Sequence, residues 1–456
     1  MDTSQLSLPL QMPEVRRADV HTQEFSSTRS TGNANKLAPE DAPAHDWYRF
    51  VLSFPPHLVR KYLERLEVKS NQTVLDPFCG TGTTLVECKK LGIASVGIEA
   101  HPMAHFAATT KTDWTPNPDA LLAHATQVAK TARGRFAAQG LDDLSTAPQP
   151  RCSASNLLSL PAESQSLMLA RSISPLPLHK TLVLLDCLAA DLNPSLRSHE
   201  RLALAQALIT AVGNLHFGPE VGIGKVKADS PVVAPWLQRV ERIAADLRSL
   251  QSRAAVPATV LLSDARAIPN TISPRSIDAV FTSPPYPNEK DYTRTTRLES
   301  VILGFINNKE ELRALKRSLV RSNTRSVYKD DEDHTWIKHF PQIASLAQDI
   351  EARRLALGKT SGFERTYHKV TLLYFGGMAR HLGTLRGLLR PGAMLGYVVG
   401  DQASYLRVMI RTGQLLAKIA VSLGYELVGI DLFRTRLATA TRDQLREEVV
   451  LLRWPG

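Results

Sequence analysis

The stretch TVLDPFCGTGTTLVECKKLGIASVGIEAHP, Thr73–Pro102, decides the fold. A short apolar run (Val74-Leu75) meets a glycine turn, then a helical pattern, then a second apolar run ending at an acid, Glu99. Strand, helix, strand in that order is the start of a βαβ unit and so of a parallel α/β sheet. Gly80 and Gly82 let the backbone turn sharply and approach a ligand without a Cβ in the way. Glu99 follows Gly82 by 17 residues, where a carboxylate can take both hydroxyls of a ribose.

The loop lacks the third glycine of the dinucleotide fingerprint, since Leu85 and Val86 occupy that neighbourhood, and it is not GxxxxGK[ST]. A pyrophosphate cradle is thereby excluded. What remains is a nucleoside cofactor without phosphates, and S-adenosylmethionine fits. A second glycine-rich stretch, FGPEVGIGKVKAD (Phe217–Asp229), has Pro219 at the first glycine position and Val226 at the Ser/Thr position, so it is no ATP loop. It reads as a turn between helices, or as a phosphate-contacting loop bearing Lys225 and Lys227.

Working outward, 456 residues suffice for a large core. A hydrophobic share of 43% and a charged share of 22% are those of a soluble globular protein. No apolar run is long enough to span a bilayer, and the N-terminus lacks the order of a secretory signal. Four scattered cysteines (Cys79, Cys88, Cys152, Cys187) exclude a disulfide scaffold and a CxxC zinc site, which points to a reduced, cytoplasmic protein with no metal. An excess of 55 Lys+Arg over 44 Asp+Glu, +11 net, favours a polyanionic partner, nucleic acid first.

Residues 1–44 are polar and aperiodic and read as a flexible tail. HLVRKYLERL places Leu58, Val59, Tyr62 and Leu66 on one helical face. The chain divides into 45–114, the first part of the α/β domain; 115–257, a mainly helical insertion and, given the charge, a candidate nucleic-acid-recognition region; and 258–456, the second part, with a further helical stretch at about 300–365. Strand grammar resumes at Ala258–Ile268 and Ile277–Phe281, and three closing strands end in a terminal antiparallel hairpin.

After Phe281 comes TSPPYPNEKDYTR, Thr282–Arg294. Prolines end the strand abruptly at the carboxyl edge, where α/β sheets place their sites. An exocyclic amine on a nucleobase is a poor nucleophile, because its lone pair is delocalised into the ring. Acceptors that hold both amine hydrogens localise that pair for in-line attack on a sulfonium methyl. Ser283 and the Pro284 carbonyl can be those acceptors, and Tyr286 can stack on a flipped base.

DPFCGTGTT, GIEAHP and TSPPY together resemble the amino-methylating DNA methyltransferases, and SFPPHLV (Ser53–Val59) resembles a further cofactor segment of that family. The corner is most similar to that of the cytosine-N4 branch, where Ser usually stands first; Asp or Asn is more usual in the adenine-N6 branch. The resemblance implies a Rossmann-like S-adenosylmethionine-dependent methyltransferase sheet. It further implies that Asp76, Phe78, Gly80, Gly82, Thr83 and Phe54 shape the methionine end of the cofactor pocket. Glu99 would bind the ribose, and Asp264 the adenine amine. Ser283, Pro284, Pro285 and Tyr286 would receive the target base in double-stranded DNA. The expected function is N4-cytosine methylation, as the protective half of a restriction–modification pair with a cognate endonuclease. N6-adenine methylation, guanine-N2 methylation of RNA and non-catalytic DNA binding are the alternatives.

Arg294, Arg297, Arg321, Arg325, Arg434, Arg436 and Arg442 are candidate phosphate contacts. DDEDH (Asp330–His334) reads as a solvated loop rather than a metal site, and Cys79 as packing.

Overall fold

The computed structural model describes residues 37–49, 53–143, 157–190, 194–218, 220–403, 405–437 and 444–456. Its strands are β1 (Thr73–Asp76), β2 (Ala94–Glu99), β3 (Leu215–Phe217), β4 (Val221–Ile223), β5 (Ala258–Leu262), β6 (Ile277–Thr282), β7 (Leu389–Gly400), β8 (Glu426–Leu437) and β9 (Gln444–Arg453). Seven form one sheet in the order β5-β2-β1-β6-β7-β9-β8, while β3 and β4 form a separate ribbon. β5, β2, β1, β6 and β7 run parallel, in register at Val96–Leu75 and Leu75–Val280. β9 enters antiparallel between β7 and β8 and closes the expected hairpin.

The chain runs outward from β1 to β2 and β5, then returns to β1's other side as β6. β1 and β6 are therefore neighbours at the point where strand order reverses, and their carboxyl ends open on one crevice. The glycine loop leaves β1 there and the proline corner leaves β6. The Thr282 hydroxyl donates to Asp76 Oδ1 at 2.6 Å and ties the two strand ends together.

Side chains alternate across the sheet as the period of two requires. Val74, Ala279, Phe281 and Val398 pack with Leu58, Val59 and Tyr62 of the helix Pro56–Arg65. Leu75, Val280, Leu395 and Tyr397 pack on the other face with the helices Tyr367–Leu385 and Thr412–Ser422. The helices of the 115–257 stretch (Pro118–Ala138, Pro175–Ala190, Pro194–Ala207, Val233–Leu250) share a third core with Trp47, Trp114, Met103 and Leu298. That stretch has no core of its own: it is stitched to the segment before the sheet and to the one after the proline corner.

Three expectations change. Order starts before His45, for Asp41, Ala42 and Ala44 are already buried beneath the first helices; the rest of the expected tail, 1–36, lies outside the described residues. The Phe217–Asp229 region is an antiparallel ribbon, Leu215–Phe217 against Val221–Ile223, rather than a turn between helices. DDEDH is a solvated loop only in part, for Asp330, Glu332 and His334 are exposed but the other two acids are not. Asp333 is buried and paired with Arg266 and Arg380, and Asp331 with Arg321.

Candidate active site

A cavity of about 360 Å³ fills the crevice, within the range that holds small-molecule ligands. Gly80 and Gly82 both have left-handed backbone, φ +53° and +85°. A Cβ on Gly82 would also lie 3.1 Å from that of Ala108. Gly82→Ala is therefore expected to cost roughly 1–3 kcal/mol of stability, read as a lower thermal midpoint.

The loop is folded around Glu99. Gly80 N–H donates to Oε2 at 2.8 Å and His101 N–H to Oε1 at 2.7 Å. Burial nevertheless dominates and raises the Glu99 carboxyl to about 7. His101, held neutral by burial and brought down to about 4, accepts from Met103 N–H and meets the Thr296 hydroxyl, fixing the floor.

Phe54, Phe78, Gly80, Thr83, Glu99 and Asp264 all line the cavity. Asp76 and Gly82 lie behind it. Asp76 is fully buried, accepts from Phe78 N–H and Thr282, and is raised to about 6 by burial. Its position makes it a brace between loop and corner rather than a wall of the pocket. Gly82 sets the start of the helix Thr83–Lys90. Asp264 accepts from Arg266, at 3.0 Å from Nε and 2.7 Å from Nη2. His381, edge-on to Phe78 at 4.9 Å, holds the same loop through the Ala265 carbonyl.

The corner faces the loop across the cavity. Ser283 Oγ donates to the Val398 carbonyl at 3.2 Å, which spends its one proton, so its bond with the Tyr286 hydroxyl and any bond to an incoming N–H are accepted by the oxygen. Pro284 and Pro285 line the same wall, as does Tyr286. Tyr286 leans on Gly400, whose added Cβ would be 3.1 Å from its ring and 3.3 Å from Glu447. Arg434 donates through Nε to Glu447 at 2.5 Å, and both line the cavity.

The other candidate arginines and lysines separate. Arg294 is half-buried near the corner, its Nε without a hydrogen bond. Arg297 is bonded to Thr293 and to the Leu167 carbonyl, so it fastens the corner helix to the insertion. Lys227 reaches the Ala211 carbonyl, whereas Lys225 is exposed. Arg325 is exposed and lies over Phe363 at 5.3 Å. Arg436 is on β8; Arg442 lies outside the described residues. Arg321 is corrected outright: it is 3% exposed, paired with Asp331 and bonded to the carbonyls of Lys316, Arg317 and Leu319. Arg321→Ala should lower stability by roughly 3–5 kcal/mol, because Asp331 loses its partner, while leaving the salt dependence of DNA binding unchanged.

Sequence reading missed Asn288, Lys290 and Tyr292, which also line the cavity. They sit in the quoted PNEKDY, so adjacency to the corner was the available signal. Phe433 and Glu447 carried no such signal, since only the closing of the β8–β9 hairpin brings them to the crevice.

The geometry agrees with what comparison with known proteins finds. A DNA methylase family of N6/N4 type matches residues 16–109. The Type II methyltransferase M.BsoBI of Geobacillus stearothermophilus is 26% identical over 99% of this chain and 92% of its own length. Over residues 16–109 the chain is thus similar to amino-methylating DNA methylases. The Type II methyltransferase M.AvaI of Nostoc sp. is 36% identical over 66 residues, 14% of each chain. Among solved structures, TrmN from Thermus thermophilus aligns at 11% identity and TM-score 0.26, over 88% of this chain and 48% of that one. The chain thus spans about half the length of that structure, and so low a score carries no argument. Among the described residues, no helix is long and apolar enough to cross a membrane.

Proposed function

We propose that the protein transfers a methyl group from S-adenosylmethionine to the N4 amine of cytosine in duplex DNA. We read it as the cytoplasmic modification enzyme of a restriction–modification pair. The observation that carries this reading is the Ser283 hydroxyl, which gives its proton to Val398 and lines the cavity as an acceptor beside Tyr286. The relatives' designation as Type II methyltransferases supports the restriction–modification setting.

The residues suit the donor. A crevice with left-handed glycines at its neck and a carboxylate pre-held by two backbone N–H groups is a nucleoside site without a phosphate cradle. When bound, S-adenosylmethionine supplies an electrophilic sulfonium methyl. Glu99 would receive the ribose hydroxyls and Asp264 the adenine amine, with Phe54 and Phe78 covering the apolar parts. On the facing wall, Ser283 Oγ and the Pro284 carbonyl would each accept one hydrogen of the target amine. That draws nitrogen toward tetrahedral geometry and localises its lone pair. Proline fixes φ, so the carbonyl is aimed before the substrate arrives. Tyr286 would stack on a base swung out of the duplex.

Arg434 favours cytosine over adenine. Its Nε is taken by Glu447, which leaves the two terminal nitrogens as a fork at the cavity. Beside its amine, cytosine offers two neighbouring acceptors, N3 and O2; adenine offers N1 and then a C–H. A planar fork satisfies the first pattern better.

The test is to incubate the protein with S-adenosylmethionine and duplex DNA, digest, and identify the modified nucleoside. N4-methylcytosine is expected. N6-methyladenine would overturn the branch, and no methylation across several genomes would leave DNA binding without catalysis.

A further inference from the structure

Three lysines are buried among the described residues, and two have partners. Lys89 donates to the carbonyls of Ala254 and Val256, and Lys180 pairs with Asp229 at 2.9 Å. Lys111, at the end of the helix Pro102–Thr112, is 2% exposed, yet its ammonium makes no hydrogen bond or ion pair with any described residue. An ammonium so far withdrawn from water without a partner is costly, and it either gives up its proton or takes up an anion.

Lys111 lines a side cavity of about 30 Å³ that shares Phe54, Thr81 and Thr83 with the main crevice. The small chamber thus adjoins the main cavity at the glycine loop, and Asp264 lines the main cavity but not the chamber. The acids nearby are already committed. Glu87 is held by Arg60 and His45, with Lys90 at 3.3 Å, and Asp46 pairs with Arg239. Thr83 also opens the helix Thr83–Lys90, whose N-terminal end adds to the positive field.

We propose that Lys111 receives the carboxylate of the cofactor's amino-acid end, an inference that rests on the S-adenosylmethionine reading above. Glu99 fixes the ribose on one side of the glycine loop, and the methionine arm then leads past Thr81 and Thr83 to the chamber. Arg49 lines the same chamber, so a carboxylate there meets the Lys111 ammonium with a guanidinium nearby. The groups facing Lys111 sharpen the charge requirement. Lys90 opposes its protonation, Asp46 and Cys79 favour it, and burial outweighs them, bringing the ammonium down to about 7. His45, bonded to Glu87 and brought down to about 4, is neutral and leaves the anion to Lys111.

The experiment is calorimetric titration of the full chain with S-adenosylhomocysteine and with its analogue lacking the carboxylate. For S-adenosylhomocysteine, Lys111→Met and Lys111→Gln should each weaken binding by roughly 10–100-fold, the worth of a charge-assisted bond. The decarboxylated analogue should bind wild type and variants alike. Since no protein partner is lost, both apo variants should melt no lower than wild type. Equal loss for both ligands, unchanged affinity for S-adenosylhomocysteine, or a large drop in melting temperature would each overturn the assignment. Failure of the wild type to bind either ligand would instead sink the cofactor reading on which it rests.

Discussion

Ser283→Ala is expected to cut turnover on DNA by roughly 10²–10³-fold at saturating cofactor, the size of effect that follows loss of one pre-aimed polar group in a closed site. Affinity for S-adenosylhomocysteine should stay the same, because Ser283 stands on the wall opposite the glycine loop. The argument runs through a proton count. A hydroxyl has one hydrogen, Ser283 gives it to Val398, and what remains toward the cavity is acceptor capacity alone. An amine has two hydrogens to place, so deleting one acceptor leaves its lone pair partly conjugated with the ring. Single-turnover kinetics separates this from weaker DNA binding. A fall in cofactor affinity equal to the fall in turnover would sink the division of roles between the two walls.

The parts of the fold legible in the sequence were those written in short-range patterns. The strand–glycine–helix–strand run of Thr73–Glu99 carries its own signals, because Gly80 and Gly82 sit at positive φ and few residues substitute there. The proline corner is likewise local. What escaped depends on distant closure. Arg321 and Arg434 look alike in sequence, each in a polar, Thr-containing stretch. Yet one is sealed against Asp331 and three carbonyls, and the other stands at the cavity with Glu447 behind it. The acid that decides each lies farther along the chain, 10 residues from Arg321 and 13 from Arg434. Lys111 was illegible for the same reason: in a helix ending TTKTDW it reads as an ordinary solvated lysine. Its burial follows from Pro55, Tyr48 and Thr83 closing over it.

Glu99→Gln should weaken S-adenosylhomocysteine binding by roughly 100-fold, two charge-assisted bonds to the ribose being lost or turned neutral. The amide also sets an NH2 group against one of two backbone N–H donors, Gly80 or His101, that the carboxylate now satisfies. The pH dependence distinguishes this from a packing defect. Burial raises the free carboxyl to about 7, whereas the ribose hydroxyls bind its ionised form. Below about 7 binding must therefore release a proton, and wild-type affinity should rise as pH climbs from about 5 to 7. Glu99→Gln has nothing to ionise and should lack that limb. If the limb persists in the variant, Asp76, raised to about 6 at the same strand ends, is the group responsible. On the alkaline side the sign reverses: Lys111, at about 7 in the free protein, must stay protonated to hold a carboxylate. Affinity should decline above that value in wild type but not in Lys111→Met. One titration series across pH therefore reads both ends of the cofactor, each limb removed by its own substitution.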